Sequence, residues 1–220
     1  MIQISQKIFA LSNIWNMDFE KKPLASFYNE YPFLIFDNLL SKDECNAVIN
    51  SLKKSEGYKA KLIAKGLDET IRKTILHQPT REIRAFFEKI INAKKEKIER
   101  FFNCLLTNGS DIQILEYKDG GFYKRHADNA SEIYKNGKLI NYKLIAPQRK
   151  ITTLLFLNDD FEGGEIEFSH LRYADLNRVI LKPKAGQMIV FPSHGLFAHE
   201  VKKVKGNRFA IVKWWNGFKG

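Results

Sequence analysis

The character of this chain changes at Asp111. Beyond it, short runs rich in β-branched and aromatic residues recur: Ile112 to Tyr117, Phe122 to His126, Ile151 to Asn158, Glu165 to Phe168, Val179 to Leu181, Met188 to Phe191 and Phe209 to Trp215. Gly120-Gly121, Gly163-Gly164, Pro183-Lys184-Ala185-Gly186 and Lys205-Gly206-Asn207 stand between them, residues that tolerate the dihedrals of tight turns. Many short strands with regular turns bury their apolar faces best as two facing sheets. The expected class is therefore α+β and mainly β, a sandwich or jelly roll with helices packed on one sheet from outside.

The helices come from the first half. Pro32 to Phe36 is a short apolar run closed by Asp37-Asn38 and reads as a strand. Ser41-Lys42-Asp43-Glu44 has the form of a capping box, and Cys45, Val48, Ile49 and Leu52 behind it fall on one helical face. From Pro79-Thr80 to about Asn103 the residues Ile83, Phe86, Phe87, Ile90, Ile91, Ile98, Phe101 and Phe102 keep helical spacing, with lysines opposite, and predict one long helix. Residues 55–78 are polar and read as a loop with some strand, while residues 1–30 are mixed. At 220 residues the chain suits one domain, so residues 1–110 are expected to supply a strand and supporting helices to the same unit as a core over 111–220.

The 36 Lys and Arg against 25 Asp and Glu give a net charge of +11, which favours an acidic partner, whether nucleic acid or an acidic protein surface. The lysines are scattered rather than blocked, which suits a solvated surface better than a dedicated nucleic-acid site. Cys45 and Cys104 each fall in a segment that reads as helix, outside any metal-like spacing, and are expected to be buried thiols. With no apolar run of signal or membrane-spanning length, a cytoplasmic location is expected and no membrane partner.

Asn129 to Gln148 separates two strands by about twenty residues, longer than an ordinary connection. Its Asn136-Gly137 pair between apolar residues predicts a projecting β-hairpin able to fold over a site. Immediately before it, His126-Ala127-Asp128 places two metal-binding side chains at i and i+2, the same face of a strand. His199 offers a third. Two imidazoles and one carboxylate leave coordination positions open, the arrangement used by non-haem Fe(II) oxygenases. His77, His170 and His194 lack a comparable partner and read as ordinary surface or packing residues.

Four blocks in order carry a resemblance. Ile114-Leu115-Glu116-Tyr117 to His126-Ala127-Asp128 holds a Tyr, a Gly-Gly, an aromatic and the His-x-Asp pair. Thr152 to Glu165 holds a central strand and a Gly-Gly-Glu turn; Pro183 to Ser193, then His199-Glu200-Val201, Gly206-Asn207-Arg208 and Trp214 follow. Together the segment from Ile114 to Trp215 resembles the prolyl 4-hydroxylase-like branch of the 2-oxoglutarate oxygenases, and Pro32 to Cys45 is similar to the start of those catalytic domains. The resemblance implies a double-stranded β-helix core. It implies iron held by His126, Asp128 and His199, the distal carboxylate of 2-oxoglutarate paired with Arg208, and a phenol donated by Tyr117. Arg149 and Trp214 match positions lining the mouth where substrate arrives. The cofactors implied are Fe(II), 2-oxoglutarate and O₂, with ascorbate as reductant, and the reaction is hydroxylation of a C–H bond, foremost in a peptidyl proline. Phe156 departs from the pattern, since several protein hydroxylases place there a tyrosine that helps to hold the distal carboxylate. A free amino acid hydroxylase and a nucleic-acid demethylase would use the same machinery. The latter typically carries a second arginine six positions beyond the first, where this chain has Trp214. A metal-binding jelly roll without activity is the reading of a different class.

Overall fold

The computed structural model describes residues 1–17, 27–52, 57–62 and 66–219, without the side chains of 218 and 219. Two sheets face one another, as the succession of short strands demands. The larger runs in the order Leu34–Phe36, Met188–Pro192, Arg149–Phe156, Arg208–Lys219, Gln113–Tyr117, Ile75–His77 and Tyr58–Lys59, with Cys104–Thr107 paired to the far end of Arg208–Lys219. The smaller runs Ile2–Gln3, Phe9–Ala10, Ile166–Arg172, His199–Val201, Phe122–His126 and Arg72–Lys73, with Arg178–Leu181 also on Ile166–Arg172. Among the described residues, every strand pairing within these two sheets is antiparallel.

The period-two alternation of the closing strand sorts two cores. Ala210, Val212 and Trp214 face inward with Leu154, Phe156, Leu115 and Tyr117 toward the smaller sheet. Phe209, Ile211 and Trp215 face outward with Leu155, Ile114 and Val190 and pack under Val48, Ile49, Leu52, Phe87, Ile91, Ile98 and Phe102 of the helices. Arg208 lies on the inward face, in register with Tyr117.

The capping box forms as expected: the Ser41 and Glu44 amides each donate to the other's side chain, at 2.8 and 3.2 Å, ahead of the helix Lys42–Leu52. The single long helix does not. It divides into Arg81–Asn92 and Lys95–Phe102 at Ala93-Lys94, and each piece buries its own pair, Phe87 with Ile91 and Ile98 with Phe102. A step of seven residues from Ile91 to Ile98 returns to nearly the same helical angle, so periodicity hides the break. The second piece ends on Asn103 at φ 48°, the left-handed conformation that Asn accepts at a helix C-terminus. Cys104 therefore starts a strand rather than ending a helix, although both cysteines are buried free thiols as expected.

Residues 55–78 contribute more strand than their polarity suggests, because Arg72–Lys73 docks on the smaller sheet and Ile75–His77 on the larger, bridging one end of the sandwich. Residues 55–56 and 63–65 of that stretch lie outside the described residues. Among the described residues no helix is long and apolar enough to cross a membrane.

Candidate active site

His126 ends the strand Phe122–His126, and His199, which opens His199–Val201, is its direct partner across the pair. Asp128 follows two residues after His126. The metal-binding atoms of the three side chains lie within 4.8 Å of one another, His126 Nε2 and Asp128 Oδ1 at 3.8 Å. Around a first-row dication with bonds of about 2.1 Å, neighbouring ligands stand about 3 Å apart, so the triad needs only slight closure.

Its tautomers are prepared for that. His126 Nδ1 lies 2.9 Å from the Lys124 carbonyl and His199 Nδ1 lies 3.1 Å from that of Phe197. Donation from each Nδ1 leaves each Nε2 lone pair for a metal. Burial, then the neighbouring His199, pushes His126 well below the usual imidazole range, which keeps it in the ligating form. Thr152 Oγ1 donates to Asp128 Oδ2 at 2.7 Å and is itself 2.8 Å from Ser193 Oγ, so one carboxylate oxygen is anchored and the other is turned to His126. Aromatic rings hold the imidazoles: Tyr123 stacks on His126 with centroids 3.4 Å apart, and Phe191 meets His199 edge-on at 4.9 Å.

These residues line a cavity of about 460 Å³ between the sheets. Arg208 lines it too, fully buried, with Nε, Nη1 and Nη2 lacking a hydrogen-bond partner among the described residues. Its guanidinium carbon lies 4.9 Å from the Tyr117 ring and 5.3 Å from that of Phe156. Gly164, at φ +66°, makes room: a Cβ there would sit 2.8 Å from Arg208 Cδ. A buried guanidinium with no protein partner favours an anion, and a forked donor suits a carboxylate. The residues present thus fit both a divalent metal and an anionic ligand beside it.

The structure brings together every site residue predicted from the sequence. Arg149 and Trp214 both line the cavity and stack on each other, guanidinium carbon to ring at 3.8 Å, with Arg149 Nη1 donating to the Asp128 carbonyl at 3.1 Å. The hairpin forms from Ala130–Lys135 and Lys138–Leu144, with Asn136 and Gly137 both at positive φ as a type I′ turn requires. Ala130, Ser131, Glu132 and Tyr134 of its first strand line the cavity. Arg125, beside His126, clasps Glu132, and Tyr142 Oη lies 2.6 Å from His170 Nε2.

Sequence reasoning passed over Thr152, Ser193, Tyr123 and Arg72, all buried or half-buried around the triad. The one signal for Thr152 is a hydroxyl on the inward face of its strand, in line with Leu154 and Phe156. Of the two readings given to the remaining histidines, packing is the one that holds: His77, His170 and His194 are all buried, and His77 Nε2 pairs with Glu116 at 2.8 Å.

Residues 112–216 match the family model of the 2OG-Fe(II) oxygenase superfamily. Prolyl 3-hydroxylase 2 of Mus musculus is 29% identical over 214 residues, covering 83% of this chain and 29% of that protein. Prolyl 4-hydroxylase 1 of Arabidopsis thaliana is 29% identical over 140 residues, 57% of this chain and 47% of that one. The chain thus spans less than a third of the length of the prolyl 3-hydroxylase it matches. Among solved structures, the prolyl hydroxylase of Trichoplax adhaerens, in complex with a hypoxia inducible factor oxygen degradation domain peptide fragment, superposes with a TM-score of 0.66 at 20% identity, covering 86% of this chain and 84% of that one. The viral collagen prolyl hydroxylase of Paramecium Bursaria Chlorella virus-1 gives 0.58 at 22% identity, covering 84% and 96%. These likenesses confirm the jelly-roll core. The family match, the relatives and the two-histidine, one-carboxylate triad make this chain similar to the 2OG-Fe(II) oxygenase superfamily and, within it, to the prolyl hydroxylases.

Proposed function

We propose that this chain is a 2-oxoglutarate-dependent dioxygenase that hydroxylates a proline within a polypeptide. The observation that carries the reading is Arg208, a buried guanidinium without a hydrogen-bond partner among the described residues, in the cavity that holds the triad.

In this reading His126, Asp128 and His199 hold Fe(II), which with 2-oxoglutarate and O₂ supplies the oxidising power to hydroxylate a C–H bond, releasing succinate and CO₂. The chain supplies the geometry. The Lys124 and Phe197 carbonyls fix the imidazole tautomers, and Thr152 fixes the carboxylate. Arg208 and the phenol of Tyr117 hold the distal carboxylate of 2-oxoglutarate. Phe156 gives that end an apolar wall, so the two donors act without the help of a further tyrosine. Desolvation strengthens the Arg208 pairing over what water would allow. Arg149 and Trp214 form the side where a polypeptide is laid, and the 130–144 hairpin shields the site from water. Free Cys45 and Cys104 suit the cytoplasm, and ascorbate suits the role of reductant.

The test is to incubate protein, Fe(II), 2-oxoglutarate and O₂ with proline-containing peptides, reading succinate and a peptide mass gain of one oxygen together. Matched yields of both, and hydroxyproline in the hydrolysate, support the reading. Tight Fe(II) binding with no succinate from any peptide would favour the non-catalytic scaffold.

A further inference from the structure

The cavity holds more positive charge than the proposed chemistry uses. A divalent metal and Arg208 together carry three positive charges; Asp128 and the two carboxylates of 2-oxoglutarate carry three negative ones. Arg125 and Glu132 neutralise each other across the hairpin. Among the described residues, two guanidiniums on the cavity wall, Arg72 and Arg149, and the exposed Lys61 at its edge remain without an ion-pair partner.

Arg72 belongs to none of the blocks that mark the family. It is 9% exposed, and its Nε, shut off from solvent, has no hydrogen-bond partner among the described residues. Its guanidinium carbon lies 4.6 Å from the ring of Tyr123, whose other neighbour is His126 with centroids 3.4 Å apart. Two stacking steps thus separate Arg72 from the metal site. Arg149 approaches from the opposite sheet, stacked on Trp214 and tied to the Asp128 carbonyl. Both guanidiniums line the same cavity, and like charges that share a partly buried space repel each other. An anion placed between them would relieve that repulsion.

We infer that Arg72, opposite Arg149, binds a carboxylate of the substrate itself, so that the hydroxylated residue carries or closely neighbours a carboxylate group. The inference rests on the oxygenase reading and deepens it. An extended residue spans about 3.3 Å, so a carboxylate on Arg72 lies within about two residues of the reacting carbon. Two sources supply that chemistry: an Asp or Glu beside the target proline, or the main-chain carboxylate of a terminal proline. A guanidinium holds either through paired donors that an amide cannot satisfy.

The experiment uses protein loaded anaerobically with Fe(II) and 2-oxoglutarate, whose visible charge-transfer band reports the assembled site. Labelled capped peptides Ala-Ala-Pro-Asp-Ala-Ala and its Asn counterpart are titrated in, as are Ala-Ala-Ala-Pro as free acid and as amide, and a short single-stranded oligonucleotide. At least one acid should bind about 10-fold to 100-fold tighter than its amide. In Arg72→Gln the acid-to-amide ratio should fall to near one, and Arg72→Lys should restore part of it. The ratio is insensitive to a merely structural role, which would weaken acid and amide alike. Equal binding of acids and amides to wild type showing the band overturns the inference and leaves the oxygenase reading standing. So does a ratio unchanged in Arg72→Gln, or Arg72-dependent binding of the oligonucleotide alone. Absence of the band in wild type removes the oxygenase reading, and the inference falls with it.

Discussion

Replacing Arg208 by Met should make the ligand-free protein more stable, the reverse of what deleting a buried residue usually does. Three guanidinium nitrogens lack partners. Each orphaned donor costs about 1–3 kcal/mol, while the rings of Tyr117 and Phe156 at 4.9 and 5.3 Å return about 1–2 kcal/mol each. The deficit is a few kcal/mol, and a linear apolar side chain of similar length removes it without opening a large cavity. A gain of about 2 kcal/mol corresponds to about 4–8 °C in Tm for a chain of this size. Ligand should invert the order. With Mn(II) in place of iron and 2-oxoglutarate at about 100 times its Kd, wild type gains about 2.7 kcal/mol, and Arg208→Met next to nothing. Urea unfolding and thermal melts with and without ligand measure both effects. A ligand-free Arg208→Met protein less stable than wild type, or one stabilised equally by 2-oxoglutarate, would show that the guanidinium is not waiting for that anion.

Phe156→Tyr should place a phenol near the Arg208 guanidinium and lower the Kd for 2-oxoglutarate by about 5-fold, the equivalent of one hydrogen bond of about 1 kcal/mol; calorimetry reads this, and weaker binding would mean that the hydroxyl points elsewhere. Gly164→Ala forces a methyl group against Arg208 Cδ at a positive φ, so 2-oxoglutarate affinity should fall by tenfold or more, on the order of 1.4 kcal/mol, with the metal still bound. Burial, then Arg125, lowers the pKa of His170 from 6.5 to about 4. Because the unfolded state then binds the proton more readily, stability should be complete above pH 6.5 and fall by about 3 kcal/mol as pH drops toward 4. His170→Gln should flatten that part of the profile in urea unfolding, and an unchanged slope would assign the effect to the carboxylates.

Much of this architecture is legible before any coordinates. The strands after Asp111 announce themselves by alternation and glycine turns, and the hairpin by Asn136-Gly137, because both signals are local. His126 and Asp128 are legible for the same reason, as ligating side chains two residues apart, although the strand ends at His126 and Asp128 lies just beyond it, and their partner His199 through the order of motifs around it. What stays hidden is what depends on partners distant in sequence. Arg72 lies in a polar segment that becomes a strand only by docking on Phe122–His126. Thr152 and Ser193 look like strand residues until folding sets their hydroxyls 2.8 Å apart behind Asp128. His77 meets Glu116 only because Ile75–His77 pairs with Gln113–Tyr117. The break at Ala93-Lys94 escapes because a seven-residue step preserves helical phase.

The most direct test of the site is anaerobic addition of Fe(II) and 2-oxoglutarate to the metal-free protein, watching for the weak visible charge-transfer band of a chelated keto acid, in wild type, Asp128→Ala and Arg208→Ala. The band is expected in wild type at one equivalent of metal, lost in Asp128→Ala, and recovered in Arg208→Ala only at much higher 2-oxoglutarate. Folded wild-type protein without a band, or a band indifferent to both substitutions, would contradict the assignment of this cavity as an iron and 2-oxoglutarate site.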